Sequence, residues 1–178
     1  MRPAVRSPLS SLSSRQHGLT LIELLVAVAV LAIIATVGIP NFQQFTARNE
    51  VAAEVLRLTT ALNLARNTAI TRRTTITVCP SADRLTCNNS DWSLPLVIID
   101  GRADGGTVDG AVLRVMQESR VPQVTYRNDN RPIRYGQLGR PAGHNGTFKI
   151  CGKHASEAYV VVSNFGRVRV RSNSEIPC

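Results

Sequence analysis

Residues 19–39 read LTLIELLVAVAVLAIIATVGI, a run of 21 residues with one charge, Glu23. Wound as a helix at ~1.5 Å per residue, the run is about 31 Å long, enough to cross a ~30 Å hydrocarbon layer. It exceeds the ~7–15 apolar residues of a secretory signal, so an anchor helix fits better. Arg2, Arg6 and Arg15 precede it, with no acid in residues 1–18. The positive-inside tendency places residues 1–18 in the cytoplasm and everything after the helix on the far side. A simple anchor leaves Glu23 unexplained. A carboxylate at mid-bilayer costs about 2.5–3.5 kcal/mol, and less near the interface. Glu23 therefore calls for a partner.

Apolar residues continue at helical spacing past Pro40: Val51, Val55, Leu58, Leu62, Ala65 and Ala69. Steps of four and three put them on one face. Arg48, Glu50, Glu54, Arg57 and Arg66 mostly lie off that face. The helix is expected to end near Arg72-Arg73, basic residues that suit its C-terminal dipole. Thr74-Thr75-Ile76-Thr77-Val78 then switches to a β-rich run. Short β-like runs follow at 74–79, 94–99, 111–118, 122–127, 132–135, 146–151, 158–163 and 167–171, divided by turn residues. The expected fold is α+β, a long N-terminal helix packed on a mostly antiparallel sheet assembly. The divisions are 1–18, 19–40, 41–73 and a β-rich domain over 74–178.

Gly18-Leu19-Thr20-Leu21-Ile22-Glu23-Leu24-Leu25 resembles the processing site of type IV prepilins and pseudopilins. The resemblance implies that residues 1–18 are a leader, that a prepilin peptidase cuts between Gly18 and Leu19, and that the new N-terminus is methylated. It also implies insertion in a bacterial inner membrane, then assembly with other pilin or pseudopilin subunits. The freed amine of Leu19 is largely protonated at pH 7, given a reference pKa of ~7.7–8.0. Glu23 of one subunit could neutralise that amine on its neighbour in an apolar filament core. Pro40 matches too, since helices of this family commonly loosen at a proline near that distance from the cut. The mature chain keeps its helix.

The 178 residues carry a formal charge of +9. Residues 119–178 hold ten basic side chains against three acids, so most of this charge sits in the last third. Such a balance suits a polyanion or an anionic membrane surface. The cysteines are Cys79, Cys87, Cys151 and Cys178. An even, widely spaced set beyond a membrane helix favours disulfides in an oxidising compartment. Cys79–Cys87 with Cys151–Cys178 is the expected pairing among three connectivities that the sequence leaves open. A zinc site fits poorly, because neither the cysteine spacing nor His17, His144 and His154 frames one. The loop over 100–109 lacks the alternating ligands and closing Glu of a calcium loop, and a solvated turn suits it better. The local cysteine pair before Asp91-Trp92, followed by Leu96-Val97-Ile98-Ile99-Asp100 and a Gly/Asp loop, resembles the FimT/GspH group of minor pilins and pseudopilins.

Near the other end, Tyr159-Val-Val-Val-Ser-Asn-Phe-Gly-Arg-Val-Arg-Val-Arg171 reads as a hairpin turning at Asn164-Phe165-Gly166. Period two places Val168 and Val170 on one strand face and Arg167, Arg169 and Arg171 on the other, about 6.7 Å apart. Guanidinium forks at such intervals can engage successive phosphates. Arg120, Arg127, Arg131, Arg134, Arg140, Lys149 and Lys153 could widen the patch. The plainer reading is a solvated edge strand guarded by its charges. Gly166-Arg167-Val168-Arg169 is similar to the Gly-Arg-x-Arg motif of DNA-binding FimT-type minor pilins used in natural transformation. That likeness implies double-stranded DNA as a partner, held mainly by Arg167 and Arg169. No nucleophile elbow, P-loop, dinucleotide fingerprint or HExxH is present, so neither an enzyme nor a cofactor is expected. Two classes of function stay open: a DNA receptor on a filament, or a structural subunit of a type II secretion apparatus or a pilus-priming complex.

Overall fold

The computed structural model describes residues 20–103, 106–127 and 129–171. One helix, α1, spans Leu21–Arg72. Eight strands follow: β1 Ile76–Pro80, β2 Leu96–Asp100, β3 Ala111–Met116, β4 Gln123–Tyr126, β5 Ile133–Tyr135, β6 Gly146–Cys151, β7 Glu157–Val162 and β8 Val168–Arg171. Each strand coincides with one of the β-like runs read from the sequence, with ends within two residues. The chain divides into two compact units between Ile39 and Pro40.

In the first unit, Thr20 caps the helix. Its Oγ1 accepts a hydrogen bond from the Glu23 amide at 3.3 Å, satisfying one of the amides that the first turn leaves open. Residues 21–39 are exposed throughout. No described residue of the unit covers this apolar surface, as suits a segment solvated by lipid or by other helices.

In the second unit, α1 buries Ala47, Val51, Glu54, Leu58, Ala61, Leu62, Ala65 and Ala69. The expected stripe is present, with Val55 only partly buried against the core. Alanines at 61, 65 and 69 let the helix lie close to the strands. Glu54 is a correction. The charged residues of this helix mostly lie off the stripe, yet Glu54 lies three residues after Val51 and four before Leu58 and is 3% exposed. Arg57 is the reason: Nε and Nη2 donate to the two Glu54 carboxylate oxygens at 2.8 and 2.7 Å. The same guanidinium donates to the carbonyls of Leu94, Gln117 and Trp92 at 3.1, 2.9 and 2.8 Å. The i,i+3 pair is thus closed over by the segments before β2 and after β3.

The helix ends as its basic residues suggest. Arg72 pairs with Asp100 at 3.0 Å, and Arg73 takes a left-handed φ of 52°, the conformation that stops a helix. Asp100 also accepts from Thr74 Oγ1 at 2.9 Å.

The strands form two four-stranded sheets, ordered β3-β2-β1-β5 and β4-β6-β7-β8. All the pairings are antiparallel. One core joins both sheets to the helix, through Ile76, Val78, Leu96 and Ile98 of the first sheet and Val124, Phe148, Ile150 and Val160 of the second. Trp92 fills the space beside the second sheet, edge-on to Tyr126 and Phe148 at 5.3 and 4.9 Å between ring centroids. The other face of β1 and β2 is covered too. Cys79, Val97, Ile99 and Ala103 form a second small core there. Two-sided burial explains why β2 reads as a continuous apolar run rather than an alternating one, and in β1 the buried Thr77 hydroxyl donates to the Gly101 carbonyl at 2.7 Å.

Cys79 is disulfide-bonded to Cys87, with their Cα atoms 5.6 Å apart. Inside this loop the Asp83 carboxylate accepts from the amides of Leu85 and Thr86, from the Thr86 hydroxyl and from Ser81. These donors, the Thr86 amide foremost, hold its pKa well below the usual carboxylate range. For the expected Cys151–Cys178 pair, Cys178 lies outside the described residues.

Candidate functional site

The arginine strand lies on the edge of the second sheet, because among the described strands β8 pairs only with β7. Its register sets Val168 opposite Val162, Arg169 opposite Val161, Val170 opposite Val160 and Arg171 opposite Tyr159. Directly opposed residues share a sheet face. Val168 and Val170 therefore fall on the side of Val160 and Val162, which line the core. Val168 packs there, whereas Val170 stays 53% exposed. The arginines take the outer side. Arg167, Arg169 and Arg171 are all exposed, and no described carboxylate forms an ion pair with any of them.

The turn that presents them is built from its own backbone. Gly166 N–H donates to the Ser163 carbonyl at 2.8 Å, and Ser163 N–H to the Arg167 carbonyl at 2.9 Å. The Ser163 hydroxyl oxygen accepts from the Arg167 amide at 3.1 Å. Gly166 has φ 77°. A Cβ at this position would stand 2.0 Å from the Gly139 carbonyl oxygen. That oxygen also accepts from Arg66 Nε at 3.2 Å. Glycine is thus required twice, for the left-handed backbone and for the close approach to the loop before β6. The guanidinium of Arg140, from the same loop, lies 5.4 Å from the centre of the Phe165 ring.

Only part of the anticipated basic patch gathers here. Lys149 pairs with Tyr159, which pairs with Arg171. It therefore lies on the same face two strands in, about 10 Å away at ~4.8 Å per strand. Arg140 joins through Phe165. Arg127 is committed elsewhere, to Asp129 and to the carbonyls of Gly143 and Asn145. Arg131 leans on the same Asp129 at 4.0 Å. Arg134 belongs to β5, in the other sheet. Arg120 and Lys153 are exposed on the β3–β4 and β6–β7 connections.

A polar cleft of about 620 Å³ lies away from this strand, lined by Asn88, Ser90, Arg131, Arg134 and His144 among others. His144 Nδ1 contacts the Pro132 carbonyl at 2.6 Å. Burial, helped by the charges of Arg134, Arg131 and Arg127, lowers its pKa below the usual histidine value. Among the described residues, no group of three His, Cys, Asp or Glu side chains could hold a metal ion.

At the anchor, Glu23 sits in the first turn of α1, with its backbone amide held by Thr20. Gly18 and Leu19 lie outside the described residues.

Two family models match the chain. One, described as type II transport protein GspH, spans residues 54–166. The other, the prokaryotic N-terminal methylation motif, spans residues 13–39. The protein belongs to the GspH family. A fimbrial protein of Pseudomonas aeruginosa is 29% identical over 125 residues, covering 58% of this chain and 80% of that one. A type IV major pilin protein, PilE of Neisseria gonorrhoeae, is 40% identical over 45 residues, which is 25% of this chain and 27% of its own length. The crystal structure of the Pseudomonas aeruginosa type IV minor pilin FimU superposes with a TM-score of 0.55 at 26% identity, covering 71% of this chain and 92% of that one. This GspH-family chain is thus a minor pilin or pseudopilin with the pilin fold, a long apolar helix and antiparallel sheets. The family is one of structural pilins that assemble with other pilin subunits. The methylation motif and the apolar helix fit a membrane-anchored pilus component.

Sequence reasoning missed Glu54, Arg66 and Gly139. Arg66 and Gly139 carry no local signal, because their role comes from meeting Gly166 across long stretches of chain.

Proposed function

We propose that this pilin, displayed in a pilus, binds double-stranded DNA through β8 for uptake in natural transformation. The observation that carries this reading is the outward row of Arg167, Arg169 and Arg171 on an open sheet edge, with no described carboxylate paired to it. Guanidiniums not already committed inside the protein are available to phosphates. The contacts read no bases, so binding is weakly sequence-specific and falls steeply with salt. On this reading a prepilin peptidase cuts after Gly18, Leu19 becomes the methylated N-terminus, and the helix crosses the inner membrane once with the β-rich domain in the periplasm. Glu23 then meets the Leu19 amine of a neighbouring subunit.

The test is gel retardation of duplex DNA by the segment Pro40–Cys178. Native protein is expected to retard duplex at low salt. Arg167→Ala with Arg169→Ala is expected to weaken binding to every sequence alike and to lower the salt slope by about 2. Undiminished binding by the double variant would remove these arginines from the site. At the anchor, Glu23→Ala is expected to be cleaved normally yet to enter filaments poorly. Normal incorporation would refute the charge-pairing account.

A second reading is favoured by the match to the type II transport protein family over residues 54–166. There the chain is a structural pseudopilin of a type II secretion apparatus, or primes pilus assembly, and β8 meets another subunit. Failure of the native segment to retard DNA at low salt would select it.

A further inference from the structure

Aromatic side chains are scarce in this protein, at 4% of residues, and the β-rich domain hides almost all of them. Trp92, Tyr126, Tyr135, Phe148 and Tyr159 are each at most 4% exposed. Phe165 is 59% exposed, at the tip of the β7–β8 turn and two residues before Arg167. The turn that carries it is held in place. The turn is closed by hydrogen bonds between Ser163, Gly166 and Arg167 and lies close against Gly139. Arg140 stands near the ring, 5.4 Å from its centre. A guanidinium over one face of an aromatic ring leaves the opposite face available.

We propose that Phe165 is a stacking platform for an unpaired nucleobase, so that the hairpin that grips duplex through its arginines gains an added hold on single-stranded DNA, including the frayed end of a duplex. This rests on the reading of β8 as a DNA-binding strand and adds to it what the arginines cannot supply. Guanidiniums grip phosphates in either form of DNA. A ring can grip only a base whose face is uncovered, and base pairing within a stack hides those faces. A basic track beside an exposed aromatic is the arrangement that holds single strands without reading sequence, because every base has a π-face. Arg140 braces the ring from one side, the base lies on the other, and Arg167 takes the adjoining phosphate.

The full chain in detergent micelles is titrated with oligothymidylate and with a relaxed, covalently closed circular duplex, which has neither ends nor loops of unpaired bases. Phe165→Leu keeps apolar bulk but removes the ring. It is expected to bind oligothymidylate about five- to tenfold more weakly while closed duplex changes by less than about twofold. Phe165→Trp is expected to restore single-strand binding, and its emission to be quenched by oligothymidylate beyond the response of the native chain, whose Trp92 is buried. Equal losses on both DNA forms, or no loss on either, would overturn the platform and leave the arginine reading standing. Single-strand binding that survives Phe165→Leu while filament incorporation fails would make the ring a contact between subunits, which also overturns it. A native chain that binds neither form would instead defeat the underlying reading of β8.

Discussion

Arg57 and Arg169 are the same residue put to opposite uses. Arg57 has a side chain 10% exposed and spends its guanidinium on both oxygens of Glu54 and on three backbone carbonyls. Arg169 stands exposed on an edge strand and pairs with no described carboxylate. The first is enclosed because two chain segments close over one turn of helix. The second is open because its strand is the last of the described strands in its sheet. What a charged side chain does here is decided by whether other segments reach it, a property of topology rather than of residue type.

The largest effect should come from the enclosed member. Arg57→Ala leaves Glu54 buried without its counter-charge and three carbonyls without their donor. Removing one partner of a buried pair costs about 3–5 kcal/mol. Urea unfolding of the segment Pro40–Cys178 measures this. Glu54→Leu with Arg57→Met removes both charges and is expected to recover much of the loss, although the three carbonyls still lack a donor. A cost under about 1 kcal/mol for Arg57→Ala would mean that water enters the site, and the contrast with Arg169 would fail.

Next comes the hinge between the two uses, Gly166, which belongs to the Gly-Arg-Val-Arg run yet works inside the fold. Gly166→Ala puts a Cβ on a left-handed residue and against the Gly139 carbonyl, and is expected to cost about 1–3 kcal/mol. Gly166→Asn separates the two causes. Asparagine tolerates positive φ, so backbone strain alone would make it milder than alanine. A Cβ held 2.0 Å from the Gly139 oxygen makes both substitutions costly. An asparagine variant as stable as the native segment would show that the loop yields, and that the turn is less firmly seated than its contacts imply.

These residues also mark how far the sequence can be read. Strand positions were legible because turn residues and β-branched runs act locally, and the outward arginines because alternation fixes sides on any strand. The stripe on α1 was legible from its spacing, but Glu54 was not. A carboxylate three residues before an arginine looks like a surface pair on any helix. Its burial depends on Trp92, Leu94 and Gln117, which lie 35 to 60 residues from Arg57. Gly166 was legible as a turn glycine, while its contact with Gly139 and Arg66 was not, since neither carries a mark of the encounter. Two-sided burial of β2 showed as an unbroken apolar run, but not what covers the second side, while Thr77 hid the same burial in β1.

The smallest effect on stability should come from the open member, and its smallness is the point. Arg169→Ala deletes a side chain that the described fold does not use. Its outward neighbour across the ladder is Val161, partly buried already. Surface substitutions of this kind usually fall within about 0.5 kcal/mol, and urea unfolding of the segment Pro40–Cys178 should place it there. If the strand grips phosphates, the same variant lowers the salt slope for duplex DNA by about 1, so a property of binding moves while the fold does not. A stability loss well above 1 kcal/mol would mean that Arg169 is held by something within the protein, as Arg57 is. The two arginines would then differ in degree rather than in kind, and the case for β8 as a binding strand would lose its physical basis.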